Sequence, residues 1–263
     1  MTVTTPAIGT AEQPLLGQWA VVTGGSMGIG RAITMRFVEG GASVVLVSGG
    51  REALDDSVAA AQSIAGEGQT IIGITTDVSS RAGIDALFDE LREKLPMLNI
   101  FVANAGTGQV TPFLDLTEKE FEDVLALNFT GTIHCLQRAG RMMSGNPQKN
   151  SAIVLVSSIR ALGAIPGRLI YSATKAGVNQ AVRVAATELA PLGIRVNTLS
   201  PGITETPLTA RNPAAFAEAV ANVPLGRAGQ PEDLAEAAYF LCSPKASFIT
   251  GVNLIVDGGE SLK

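Results

Sequence analysis

The chain runs to 263 residues, 46% of them hydrophobic and only 16% charged, a balance that suits one large α/β domain with a sheet buried on both faces and excludes a disordered chain. Its net charge of −5, with no basic run, argues against a nucleic-acid surface. No apolar stretch approaches the ~18 residues of a membrane span, so no membrane partner is expected.

Residues 1–18 hold no Lys or Arg and no continuous apolar core, so they read as neither a signal peptide nor a transit sequence. Residues 1–16 are expected to be a flexible arm ahead of a single catalytic domain at 17–263. Cys135 and Cys242 lie inside apolar helical patterns, which points to buried thiols in a reducing cytoplasm rather than a disulfide. The single histidine, His134, leaves no material for a His-based triad or a zinc site, and no metal is expected.

In chain order, residues 20–23 form a short β-rich run ending in Gly24-Gly25-Ser26-Met27-Gly28-Ile29-Gly30, and residues 31–39 then read as a helix closed by Gly40-Gly41. In a strand, glycine turn and helix, the glycines let a pyrophosphate approach the helix start, where free N–H groups and the dipole favour negative charge. Dinucleotide binding is the functional reading, and an unliganded glycine-rich turn the bland one. Residues 43–47 read as a central parallel strand. Ser48-Gly49-Gly50-Arg51 follows, where a dinucleotide fold reads the adenosine ribose, with an acid when the cofactor is NAD. Ser48 in place of that acid, two free glycine N–H groups and nearby Arg51 favour NADP(H) over NAD(H).

Residues 52–65 are helical, 70–76 a strand ending at Asp77-Val78, 80–94 a capped helix, and 98–103 a strand ending in Asn104-Ala105-Gly106. This alternation predicts βαβ crossovers and a parallel sheet, whose ligands bind beyond the carboxyl ends of the strands. Gly24, Ser48, Asp77 and Asn104 all fall at such ends. Thr117 with Glu120 is a capping box that opens a long helix over 117–144. Asn128 sits in its middle beside Leu125, Leu127 and Phe129, where it either faces solvent or needs hydrogen-bond partners. Residues 146–150 are a polar turn, and 151–157 a strand that delivers Ser158 to the same edge.

Thirteen residues after Ser158 comes Tyr171-Ser172-Ala173-Thr174-Lys175. On a helix, the four-residue spacing puts Tyr171 and Lys175 on one face. At about 4 Å and an effective dielectric of about 20, the ammonium would interact with the phenolate by roughly 4 kcal/mol, or about three pKa units. A tyrosine lowered that far can trade a proton near neutrality. The helix over 171–190 is rich in small residues, which permit close contact with the sheet or a partner subunit. Residues 194–199 form a strand ending at Ser200-Pro201-Gly202, 204–222 an excursion expected to act as a substrate lid, 232–243 a helix, and 253–256 a last strand before Asp257-Gly258-Gly259.

From about residue 17 to residue 259 these motifs resemble the short-chain dehydrogenase/reductase family. The resemblance lies in the glycine turn from Thr23 to Gly30, Asp77-Val78, the Asn-Ala-Gly at Asn104 to Gly106, Asn128, Ser158, the Tyr171/Lys175 pair, Arg195-Val196-Asn197 before Pro201-Gly202, and the terminal Asp257-Gly258-Gly259. It implies a single Rossmann-type doubly wound parallel sheet of about seven strands with helices on both faces. It also implies a catalytic set of Asn128, Ser158, Tyr171 and Lys175. Tyr171 would be general acid or base, and Lys175 would lower its pKa and hold the nicotinamide ribose. Ser158 would bind the substrate oxygen, and Asn128 would hold a water behind Lys175. Gly24, Ser26, Met27, Gly28, Ile29, Gly30, Ser48, Gly49 and Arg51 would line the cofactor. Asp77 and Val78 would meet the adenine, Asn104, Ala105 and Gly106 the adenosine side, and Pro201, Gly202, Ile203 and Thr206 the nicotinamide. Ser48-Gly49-Gly50 departs from the family's usual cofactor determinant. The resemblance further implies a homotetramer.

The resulting reading is an NAD(P)-dependent oxidoreductase acting on a secondary alcohol or ketone. The main alternative is a 3-oxoacyl-[acyl-carrier-protein] reductase, which would need cations at the mouth; Arg138, Arg141, Arg160 and Arg168 are candidates, or else ordinary solvated arginines. A non-catalytic cofactor-binding regulator would not require Ser158, Tyr171 and Lys175, nor would a methyltransferase. The expected walls, Gln109, residues 159–162, Ile165, Pro166 and the lid, are mostly apolar and point to a neutral small-molecule carbonyl or alcohol.

Overall fold

A computed structural model of the chain describes residues 13–146 and 150–262. The strands β1 (Trp19–Thr23), β2 (Ser43–Ser48), β3 (Ile71–Thr75), β4 (Ile100–Ala103), β5 (Ser151–Val156), β6 (Ile194–Pro201) and β7 (Asn253–Val256) form one parallel sheet. Its order is β3-β2-β1-β4-β5-β6-β7. The central strands are aliphatic along their length because both of their faces are covered, and successive side chains alternate between the faces. Val22, Val44, Leu46, Val102 and Val154 meet α1 (Gly28–Glu39), α2 (Arg51–Ile64) and α8 (Pro231–Cys242) on one side. Val21, Val45, Phe101, Ile153 and Val196 meet α3 (Arg81–Lys94), α5 (Thr132–Met143) and α6 (Leu169–Leu189) on the other. Among the described residues no helix is long and apolar enough to cross a membrane.

The strand order places β1 beside β4, so the chain reverses direction across the sheet at that junction. Their carboxyl ends flank a crevice, the usual ligand site of an open α/β sheet. Both the glycine turn after β1 and the Asn104–Gly106 segment after β4 open into it.

Two sequence expectations change. The long helix over 117–144 is a helical rod in three parts: α4 (Glu118–Leu125), a π-helical turn at Ala126–Gly131, and α5. Its capping box forms as expected, with Thr117 and Glu120 bonding reciprocally. The π-turn inserts a wide loop of helix at Asn128, a distortion common at functional sites. The 204–222 excursion, in contrast, contains the short helix that its sequence around residues 214–220 suggests, α7 (Pro213–Ala221), which has no buried residue.

The second change concerns the arm. Residues 1–12 lie outside the described residues, but 13–16 are docked. Leu15 is fully buried in the core, and its N–H donates to the Gly40 carbonyl at 3.0 Å. The body therefore begins before residue 17. In the polar turn, residues 147–149 lie outside the described residues, while the Asn146 amide donates to Leu98 O at 2.6 Å. Leu15→Ala should lower unfolding free energy by about 3 kcal/mol, read as a shifted urea midpoint; an unchanged midpoint would mean that the segment does not stabilise the fold.

Candidate active site

The glycine turn is shaped by close backbone contact. Gly24 and Gly28 take positive φ values of 65° and 52°, and a Cβ on Gly30 would stand 2.1 Å from the Gly24 carbonyl oxygen. Only glycine fits there. The Asn104 amide closes the turn, donating to the carbonyls of Thr23 at 3.2 Å and Gly24 at 3.1 Å. The N–H groups of Asn104 and Ala105 donate in turn to the Thr23 hydroxyl. The Asn104 side chain is thus occupied in holding the turn, leaving the backbone of residues 104–106 to face the crevice. Met27, half exposed, starts α1 with no side-chain cap, and Ile29 packs against the core behind it.

At the end of β2 the hydroxyls of Ser26 and Ser48 are 2.8 Å apart, tying turn to strand. Gly49 and Gly50 are exposed. Arg51 does not reach back toward them: its Nε donates to both carboxylate oxygens of Asp55, at 3.1 and 2.9 Å. Asp77 accepts from the N–H and hydroxyl of Ser79, and Val78 is buried beside it.

Asn128 is wholly buried in the π-turn, and both ends of its amide engage one peptide. Oδ1 accepts from Thr107 N and Nδ2 donates to Thr107 O, each at 2.8 Å. The solvent-facing alternative is excluded. The amide thereby pins the loop after β4. Lys175 lies close by: a Cβ on Gly106 would stand 3.2 Å from Asn128 Oδ1 and 3.6 Å from Lys175 Nζ.

Ser158 is buried at the end of β5 and accepts from Arg160 N at 3.1 Å. Tyr171 and Lys175 stand one turn apart on α6. The Lys175 ammonium donates to Val156 O at 2.8 Å, lies 5.9 Å from the Tyr171 ring centroid, and is pushed by burial down to a pKa of about 8. Tyr171 departs from expectation. Burial raises its pKa above the ordinary 10, and the influences opposing this come from Ser158, then Arg168 and Arg160, rather than from Lys175. Desolvation disfavours the phenolate, and the ammonium is directed at a carbonyl instead of the phenol.

One residue at the site went unread in the sequence. Glu260, buried at the chain's end, accepts from Ile203 N at 2.7 Å and from Arg160 Nη2 at 2.6 Å. A Cβ on Gly202 would stand 2.6 Å from Asp257 Cβ and 2.9 Å from Glu260 Oε2, so Gly202 admits the tail. The only available signal was an acid directly after the terminal glycines. Thr206 shares hydrogen bonds with Thr209 and packs over Gly28, while Pro201 is buried at the end of β6. Arg195 and Asn197 serve the fold, bonding carbonyls at the end of α8 and at Ile249.

A family model described as "Enoyl-(Acyl carrier protein) reductase" matches residues 24–261. A crystal structure of a short-chain type dehydrogenase/reductase from Mycobacterium marinum superposes with a TM-score of 0.89 at 30% identity, covering 95% of this chain and 97% of that one. The chain belongs to the short-chain dehydrogenase/reductase family. Among relatives of this dehydrogenase/reductase, a 3alpha-hydroxysteroid dehydrogenase from Mediterraneibacter gnavus is 36% identical over 240 residues, 91% of this chain and 95% of that protein. A cis-4-hydroxycyclohexanecarboxylate dehydrogenase from Sinomonas cyclohexanicum is 40% identical over 244 residues, with the same coverage of 91% and 95%. The protein is an NAD(P)-dependent oxidoreductase.

The residues of this dehydrogenase/reductase fit a nicotinamide dinucleotide. The uncapped start of α1 offers free N–H groups to a pyrophosphate, and the bare Gly24 and Gly30 keep the crevice open. Ile203 is the exception, its N–H already engaged by Glu260.

Below pH 8 the Lys175 ammonium is held at a cost of about 3 kcal/mol, given its fall from 10.5 to about 8. The unfolded chain binds this proton more tightly, so that penalty fades as pH rises from 8 to 10.5. Lys175→Met should therefore stabilise the ligand-free protein at pH 7 by roughly 1–3 kcal/mol, with the gain gone near pH 10.5. Chemical denaturation at both pH values checks this, and a destabilised variant at pH 7 would contradict it.

Proposed function

We propose that the enzyme interconverts a secondary alcohol and a ketone, with Tyr171 as the proton donor in reduction and the acceptor in oxidation. The observation that carries this reading is the meeting of Ser158, Tyr171 and Lys175 at the carboxyl edge that also holds the glycine turn. A nicotinamide held in the crevice would supply or accept the hydride. Tyr171, kept protonated by burial, gives its hydroxyl proton to the substrate oxygen, and the Ser158 hydroxyl donates a hydrogen bond to the same oxygen as charge develops. Lys175 holds the ribose side, and Asn128 fixes the loop against it. Residues 204–222 serve as the lid, with Thr206 already over Gly28. The alcohol named for the relative from Sinomonas cyclohexanicum belongs to the same substrate class.

We assign NADP(H) over NAD(H) on Ser48 and the exposed Gly49 and Gly50 rather than on Arg51, whose charge is paired with Asp55. Absorbance at the reduced-nicotinamide band, with both cofactors and a panel of ketones, diketones and acyl thioesters, tests the assignment. NADPH should give the higher kcat/KM, and preference for NADH overturns it. Tyr171→Phe should lose about 10³-fold in turnover while still binding NADPH by fluorescence titration. Retained turnover removes Tyr171 from its role.

The family model's description favours a second reading, an acyl-carrier reductase. Against it, Arg138 is tied to Asp85 and Arg160 to Glu260, so two of the four candidate cations are neutralised. A homotetramer joined through the long helices and β7 accounts for exposed Phe121, Val184, Phe248 and Ile255. Light scattering should give four subunits, and a monomer overturns that. Cys135 and Cys242, buried and unpaired, support a cytoplasmic setting.

A further inference from the structure

Two arginines approach the Tyr171 phenol from the segment between Ser158 and the start of α6, and they differ in what holds them. Arg160 is neutralised by the buried Glu260 carboxylate at 2.6 Å. Arg168 is half-buried, and among the described residues it forms no ion pair. Its Nη1 donates to the Gln109 carbonyl at 3.0 Å, and its guanidinium carbon lies 5.9 Å from the Tyr171 ring centroid. Burial depresses its pKa, and the ionisable groups acting on it are Tyr171 and Arg160, neither an acid of ordinary strength. A cation taken partly out of water and left without an anion is costly.

The surroundings are those of the substrate mouth. A Cβ on Gly108 would stand 3.5 Å from Arg168 Nη1 and 3.9 Å from Leu208 of the lid. Two residues earlier, Thr206 lies against Gly28 in the glycine turn, with 3.3 Å between its methyl and an added Gly28 Cβ. The lid therefore runs from the cofactor cradle to Arg168, which places the guanidinium on the far, substrate side. Val110, Leu162, Ile165 and Leu208 are all exposed apolar side chains.

We propose that Arg168 is a specificity-determining anchor for a carboxylate on the substrate, which makes the substrate a hydroxy or oxo carboxylic acid with an apolar body. This inference rests on the reading of Tyr171 as the proton donor, and it replaces the neutral substrate expected from the sequence. A planar guanidinium fork matches a carboxylate with two parallel hydrogen bonds. With the acid held there, the apolar body lies along Val110 and Leu208, and the reacting oxygen reaches Tyr171 and Ser158.

The test uses 4-hydroxycyclohexanecarboxylate and its methyl ester. The wild-type kcat/KM should favour the acid by roughly 100-fold, and Arg168→Gln should bring the ratio close to unity. Arg168→Lys, which keeps the charge but loses the fork, should fall between, and it serves as the variant if glutamine does not fold. Arg168 also acts on Tyr171, and a carboxylate paired with it weakens that influence for the acid alone, so binding without turnover is needed to read the anchor by itself. An unchanged ratio overturns the proposal, as does a loss that appears in the KM for NADP+ instead of the acid.

Binding is read separately by thermal unfolding of the ligand-free protein. Cyclohexanecarboxylate should raise the Tm of the wild type and not of Arg168→Gln, whereas cyclohexanecarboxamide should raise neither. A shift that survives the substitution, or none in the wild type, overturns the anchor. Turnover of neutral ketones without preference for the acid likewise overturns the anchor while the oxidoreductase reading stands. An intact carboxylate-dependent shift with no turnover of any alcohol or ketone overturns that reading instead.

Discussion

The junction of β1 and β4 depends on one reciprocal clamp. The Thr23 hydroxyl accepts two N–H groups from the chain after β4, and the Asn104 amide returns two hydrogen bonds to carbonyls after β1. Parallel strands end in unpaired backbone groups, and here those groups satisfy one another across the point where the chain reverses direction. The clamp leaves the helix start at α1 free for an anion. It also fixes residues 104–107, against which Asn128 and Lys175 are placed. Cofactor cradle and catalytic edge are thus registered by the same few hydrogen bonds.

Burial competes with charge throughout the site. Lys175 and Tyr171 are both shifted toward their neutral forms because water is withheld from them. For the proton donor proposed above this is a useful condition, since burial favours the protonated phenol. The arginines near Tyr171 oppose the shift from the substrate side, so occupation of the mouth by an anion would alter the phenol's environment. Glu260 joins the chain after β6 to the segment after β5, accepting from Ile203 N and from Arg160.

Much of the fold was legible because βα alternation has a strong signature: aliphatic strands, helices of similar length, and turn residues at each strand end. The capping box at Thr117 and Glu120 was equally readable, being local. The π-turn was not, because residues 126–131 carry an ordinary helical pattern and only the demand of Thr107 for both ends of the Asn128 amide reveals it. Leu15 reads as part of an arm because the lone Leu15-Leu16 pair has no periodicity, yet docking beside Gly40 buries Leu15 in the core. Arg51 was expected to face the cofactor on sequence position alone, but Asp55, one helical turn away, takes its charge.

Residue type and short-range spacing were enough to read the sheet, the crevice and the convergence of Ser158, Tyr171 and Lys175 on one edge. The tertiary structure decided the states of those groups: which amide is occupied, which ammonium is desolvated, and which arginine lacks an acid. Those properties depend on what packs around a side chain from distant parts of the chain. Arg168 illustrates the difference: in the sequence it is one cation among 19, and in the fold it stands half-buried beside the phenol with no anion of its own among the described residues.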